Sequence, residues 1–296
     1  GRLRLLLSLP GNGLWRRRVG LRYTAVLLAV GLPLIIGAII MAAPAVSIAT
    51  MILIAALYSA FWFGLAMLIG GAVRASTTAA ATMIGCWIIL TLILPTLAHA
   101  VIARAVPVAK GVDLTLAQRE VVHHGWDVPK EETFARFFVN HPEWRGQEEF
   151  EGRFHWKWYY AMHQVGDEAV AADVSAYRDS LKKRETMTRL LGYVLPGVGT
   201  MNVLHRMADT DIEGQLSYQD SIADFHTKLR QFYYPYFFKE QAFDHSDFAM
   251  IPRYEPRSSG GTLATEALAA LALLSLLVLA LGSRRLLYAG REQGGR

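Results

Sequence analysis

Apolar residues follow two different patterns along the 296-residue chain. Four long stretches, 23–42, 45–73, 78–103 and 262–283, carry no Asp, Glu, Lys or Arg in their central turns. Crossing the hydrocarbon core as a helix takes roughly 20 mainly apolar residues, so each stretch is long enough to span a bilayer. Between 104 and 261 apolar residues instead recur at three- and four-residue steps among charged ones, the signature of amphipathic helix. Ile212, Leu216, Ile222, Phe225, Leu229 and Phe232 make one such stripe, in which only Gln219 is polar. The pattern predicts an all-α integral membrane protein with four transmembrane helices and a large helical domain between the third and fourth.

Within 104–261, Asp113-Leu114-Thr115 opens a short helix that Gly125 ends. Asp127, Pro129, Glu131 and Glu132 supply an N-cap, an early proline and an acidic first turn for the next. Two longer helices are predicted at about 147–194, ending at Pro196-Gly197, and at about 200–232, which suggests a helical bundle. Ser258-Ser259-Gly260-Gly261 reads as a flexible join to the last span.

The composition fits a membrane protein: 53% of residues are hydrophobic and the mean hydropathy is +0.25. The net charge of +5 comes from arginines beside the spans, so it speaks of topology and not of nucleic acid, and no nucleic-acid partner is expected. Arg2, Arg4, Arg16, Arg17, Arg18 and Arg22 precede the first span, Arg74 follows the second, and Arg284, Arg285 and Arg291 follow the fourth. By the positive-inside rule these positions are cytoplasmic, which places 1–22 and the tail 284–296 inside and 104–261 outside. No signal peptide is recognised at the start, so the helices themselves are expected to drive insertion. Cys86 is the single cysteine and excludes a disulfide framework or thiolate metal site made from this chain alone.

Chemistry-bearing motifs are few. No Gly-x-x-x-x-Gly-Lys-Ser/Thr loop occurs, so no phosphate cradle with its lysine can form. All histidines except His99 lie beyond residue 100, yet no pair has the i, i+4 spacing of helical metal ligands, and no metal site is expected. Ser217 and Ser221 lack a nucleophile-elbow context, and Asp209 and Asp211 do not by themselves make a catalytic pair, so the chain is not read as an enzyme. Ala56, Ala60 and Gly64, at four-residue spacing, form a flat stripe for close helix packing, within the subunit or at a dimer seam. Pro33 and Pro95 are candidate kinks. Two aromatic runs, Trp156, Trp158, Tyr159 and Tyr160, and Phe232, Tyr233, Tyr234 and Tyr236, hold more adjacent rings than one buried helix face can use. Some are candidates for a membrane interface or for a groove that binds a lipid-like or peptide-like cargo or a partner.

The first ten residues, with Gly1, Leu3, Leu5, Leu6, Leu7, Ser8 and Pro10, resemble the segment after the second transmembrane helix of ABC transporter permeases of the ABC-2 exporter type; Arg2 stands where threonine is usual. The outside domain is similar to that of a subfamily defined by a domain of unknown function between the last two helices. Phe154-His155-Trp156-Lys157-Trp158-Tyr159-Tyr160, Leu204-His205-Arg206-Met207 and Phe232-Tyr233-Tyr234-Pro235-Tyr236 carry that similarity. It implies that the four spans are the last four of six and that an N-terminal part is missing. It further implies a permease in the bacterial inner membrane, paired with a second permease subunit and with cytoplasmic ABC ATPases that bind the ATP and Mg. Arg2, Arg4, Leu5, Ser8, Pro10, Trp15, Arg16, Arg17 and Arg18 would then form the ATPase-coupling surface. Two other readings remain open: a mechanical coupler in a cell-envelope complex through which nothing passes, and a sensor that signals inward from its outside domain.

Overall fold

The computed structural model describes residues 13–73, 75–256 and 264–294. Among them every regular element is helical. In chain order these are α1 (Gly13–Ile40), α2 (Ala45–Ala72), α3 (76–105), α4 (Gly111–His124), α5 (Lys130–Asn140), α6 (Trp156–Ala169), α7 (Ala171–Gly192), α8 (Pro196–Met207), α9 (Ile212–Phe238), α10 (Asp247–Met250) and α11 (Thr265–Gly294). The described residues gather into two compact units, one within 13–105, 185–211 and 264–294, the other within 106–184 and 212–256.

The first unit contains four helices long and apolar enough to cross a membrane, at Arg17–Ile40, Ala45–Ala72, Ser76–Ala105 and Thr265–Tyr288. All four expected spans are therefore present as helices. The apolar side chains of α1 and α3 are almost all uncovered within the chain: Leu32, Ile36 and Ile39 on α1 and Ile84, Leu92 and Leu97 on α3 are exposed. Such a surface is stable against hydrocarbon and not against water.

α2 and α11 form the packed heart of this unit, and glycine allows their approach. A Cβ built on Gly64 would lie 2.6 Å from the backbone nitrogen of Leu279, and one built on Gly282 would fall on the carbonyl oxygen of Gly64. Helices in lipid gain little from hydrophobic burial against each other, so backbone proximity and the dispersion contacts it permits hold them together. The stripe of Ala56, Ala60 and Gly64 thus serves packing within the subunit at its Gly64 end. Ile54, Ala267 and Leu271 extend the contact and bury Val203 of α8 beside them. Residues 185–211, expected with the outside domain, therefore pack in the unit that contains the spans. α1 is tied to α2 by the Tyr23 hydroxyl, which donates to the Ala56 carbonyl at 2.7 Å, and by an edge contact of its ring with Phe63.

The two candidate kinks differ in outcome. Pro33 sits inside an unbroken α1. Upstream of Pro95 the helix widens to π geometry over Ile89–Ile93 before α-helical turns resume at Leu94. A proline ring clashes with the carbonyl four residues earlier, here that of Thr91, and a π turn relieves the crowding.

The second unit is closed by aromatic rings. Phe134, Phe137 and Phe138 of α5, Trp158 and Met162 of α6, and Tyr234 and Phe238 of α9 form its core. Phe137 and Phe238 lie parallel with centroids 5.2 Å apart, and Trp144 stacks on the far side of Phe238 at 5.2 Å. The helix expected at 147–194 is interrupted. Gly146 and Gly152 hold φ of +82° and +85°, so 145–155 forms a loop, and α6 starts only at Trp156, where the His155 ring accepts the Lys157 amide at 3.2 Å. Val170 separates α6 from α7. The helix expected at 200–232 is likewise broken in two. Asp209 takes φ +56°, its amide bonds the Arg206 carbonyl and the Thr210 amide bonds the His205 carbonyl at 2.9 Å, a Schellman ending to α8.

Candidate functional site

Within the second unit, one face of α6 and one face of α9 enclose a groove of about 490 Å³. α6 contributes Tyr159, Tyr160, His163, Gln164 and Asp167, and α9 contributes His226, Leu229, Arg230, Tyr233, Tyr234 and Phe237. Both sets recur at three- and four-residue steps, so each is a single helical stripe, and the two stripes face each other. The walls are mainly apolar and ring-lined: Tyr160 stacks on Phe237 at 4.6 Å, Tyr233 lies near-parallel to Phe237 at 6.1 Å, and Tyr159 packs on His163 at 4.5 Å. The volume is in the range of small-molecule clefts, which run from about 300 to 1,000 Å³.

Tyr234 joins groove to core. Its ring meets Phe137, Trp144 and Phe238 edge-on, and the residue is only 5% exposed. Burial pushes its hydroxyl up to about 12, so the group is a neutral donor at physiological pH. That hydroxyl has no hydrogen-bond partner among the described residues. A buried polar atom left unpaired costs about 1–3 kcal/mol, which makes it the site's least satisfied atom.

Beside the groove, Glu168 is gripped by three side chains: Asn140 donates at 2.8 Å, Gln164 at 2.7 Å, and the His141 ring lies 2.7 Å away. Burial raises the Glu168 carboxyl, but the hydrogen bonds from Asn140, Gln164 and His141 together outweigh it and hold the group below its ordinary value. A carboxyl lowered on folding stabilises the folded form above its unfolded value and loses that contribution as pH falls through its folded one. The expected result is a thermal midpoint that drops as pH falls below about 4.5, with the gap between wild type and Glu168→Gln narrowing over the same interval. Scanning fluorimetry of the purified protein across an acid pH series checks it.

The remaining aromatic candidates have other duties. Trp158 is buried core, and Lys130 lies over its ring at 5.4 Å and over Phe150 at 4.4 Å. Trp156 is 54% exposed and contacts Phe154, Tyr159 and Tyr160 at their edges or at a tilt. Phe232 packs with Tyr233, Tyr236 and Phe243. Tyr236 donates to the buried Asp247 at 2.8 Å, which raises the tyrosine hydroxyl and ties the end of α9 to α10. Lys157, between the two tryptophans and itself buried, donates to the Glu149 carbonyl and to Glu240, each at 2.7 Å, and so pins the 145–155 loop.

Of the expected coupling surface, Arg2, Arg4, Leu5, Ser8 and Pro10 lie outside the described residues, and Trp15 and Arg16 are described only as backbone of α1. Arg17 and Arg18 are exposed on the first turns of that helix. The groove residues that sequence reasoning did not single out are Asp167 and Arg230, with His163 and His226 weighed as metal ligands. Their signal was the shared spacing 160/163/167 and 226/230/233/237, visible only when both aromatic runs are taken as helical. No group of three or more His, Cys, Asp or Glu that could hold a metal ion occurs among the described residues.

Residues 112–257 match the family model of DUF3526, a domain of unknown function. The matched stretch lies between the third and fourth candidate spans. No curated protein and no solved structure matches the chain.

Proposed function

We propose that the chain is the membrane-spanning permease subunit of an ATP-driven ABC exporter, with its large helical insertion on the extracytoplasmic side. The observation that carries this reading is the order of parts: three apolar helices, then the stretch matching DUF3526, then a fourth apolar helix. The resemblance of the opening residues to ABC-2 permeases supports the same reading. In it the last four of six spans form half of a membrane path, and the uncovered apolar sides of α1 and α3 face lipid or a second permease subunit. ATP and Mg are bound by cytoplasmic ATPase subunits that dock on the arginine-rich segment before the first span. Binding-driven closure of those ATPases then moves the helices, so the chain works as the path or lever and performs no bond chemistry.

Affinity purification of the full-length protein from membranes in mild detergent, with mass spectrometry and an ATPase assay, tests it. The expected result is a nucleotide-binding subunit in near-equal amount, with an ATPase rate that falls severalfold when Arg16, Arg17 and Arg18 are changed to Glu. Absence of any ATPase from repeated preparations overturns the permease reading. An ATPase that is indifferent to the arginines overturns the coupling surface.

A further inference from the structure

We infer that the groove between α6 and α9 is a binding site for a small amphipathic anion, whose apolar body lies between Tyr160, Tyr233 and Phe237 and whose head accepts from Tyr234 and Arg230. Three independent observations meet there. The volume of about 490 Å³ and the ring-lined walls suit an aromatic or chain-like body on the scale of a drug-sized ligand. Tyr234, 95% buried, is one of the residues lining the groove, and its buried hydroxyl has no partner among the described residues, so it holds a donor in reserve. A site whose polar atom is satisfied only by a ligand discriminates strongly for that ligand's acceptor.

Arg230 supplies the cation for the head, beside the carboxylates of Asp167 and Glu168 that also act on Tyr234. Arg230 sits one helical turn before Tyr234 on the same stripe, with one N–H group resting on the Thr227 hydroxyl at 3.1 Å. A guanidinium keeps further donors and its charge for a carboxylate, sulfonate or phosphate. Asp167 is the one carboxylate among the wall residues, and it already accepts from Gln118 at 3.1 Å. The histidines, His163 and His226, add no negative charge. An anion therefore finds a cation and an unspent hydroxyl donor among the residues of an apolar slot, and a neutral apolar molecule finds only the slot.

The site goes beyond the permease reading and does not depend on it. The experiment uses the full-length protein in lipid nanodiscs and two probes with one body, 1-pyrenebutyrate and 1-pyrenebutanol. Binding is read by energy transfer from tryptophan, with empty nanodiscs subtracted. One saturable site per chain is expected for the butyrate, bound about tenfold more tightly than the alcohol, the gain of a charge-assisted hydrogen bond. Tyr234→Phe should weaken the butyrate about five- to tenfold while raising the thermal midpoint, because it removes a buried unpaired hydroxyl. Arg230→Gln should abolish the preference for the acid, and Tyr160→Ala with Phe237→Ala should abolish binding of both probes. The inference is overturned if no saturable site appears, or if Tyr234→Phe and Arg230→Gln leave the butyrate affinity unchanged. A butyrate site without any co-purifying ATPase leaves the groove standing and removes the permease, and the reverse result removes the groove alone.

Discussion

Gly282→Leu should abolish stable folding of the membrane-spanning unit in detergent, with Gly64→Leu close behind and Gly70→Ala without effect. The difference is geometric. A Cβ on Gly282 meets the Gly64 carbonyl, and a Cβ on Gly64 meets the α11 backbone at 2.6–2.7 Å, whereas a Cβ on Gly70 has nothing within 4 Å. No rotamer can relieve a clash whose other partner is backbone, so α2 and α11 must move apart. Overpacking costs about 1–3 kcal/mol in cores that can yield, and more where they cannot. Separation would also break the contact of Ile54 with Ala267 and Leu271 and uncover Val203, so one substitution forfeits the whole cluster. Thermal unfolding and size-exclusion profiles of the three variants read the outcome. A Gly282→Leu protein as stable as wild type would show that the α2–α11 seam is not as close as described.

Phe137→Ala is the second large effect, expected to cost about 3–5 kcal/mol, the usual loss when a phenylalanine is cut from a tight core. Phe137 is 0% exposed, and its ring touches Phe138, His141, Tyr234 and Phe238. Its removal takes away the plate on which α9 rests and loosens His141, which grips Glu168. Because Phe137 lies in the second of two compact units, damage should be confined to that unit. Limited proteolysis is expected to open sites within 106–184 and 212–256 while the α2–α11 pair stays protected. Equal protection of wild type and variant would refute the view of Phe137 as keystone.

The spans were legible because lipid imposes a blunt rule: some twenty apolar residues without charge leave no other conformation open to the backbone. The domain between them was legible in type and less so in its breaks. Asp209 ends α8 in a left-handed turn that glycine usually occupies, so nothing in the letters announced it. Gly146 and Gly152 were visible, but the Glu-rich run between them has good helix propensity, and only the positive φ at both glycines decides for a loop.

The aromatic runs show why the site was half visible. Consecutive helix residues point about 100° apart, so four neighbouring rings must serve several surfaces. Trp158 and Tyr234 went to the core, Tyr159, Tyr160 and Tyr233 to the groove, and Tyr236 to the staple on Asp247. Which ring does which depends on what α5 and α10 bring alongside, and that depends on tertiary packing. Arg230 and Asp167 look like ordinary charged positions on solvated faces until the two helices are set side by side.

The seam between α2 and α11 also has a meaning in time. Its two halves are separated by roughly 190 residues, the interval from Ala72 to Thr265. At a synthesis rate of about 5–20 residues per second, the ribosome needs on the order of 10–40 s to deliver the second half after the first. During that delay Gly64 offers a bare strip of backbone-depth groove to whatever helix is near, including one from another nascent chain. Assembly of this protein in a membrane is thus a waiting problem, and a chaperone or insertase that shields α2 until α11 arrives would raise yield without altering the finished fold.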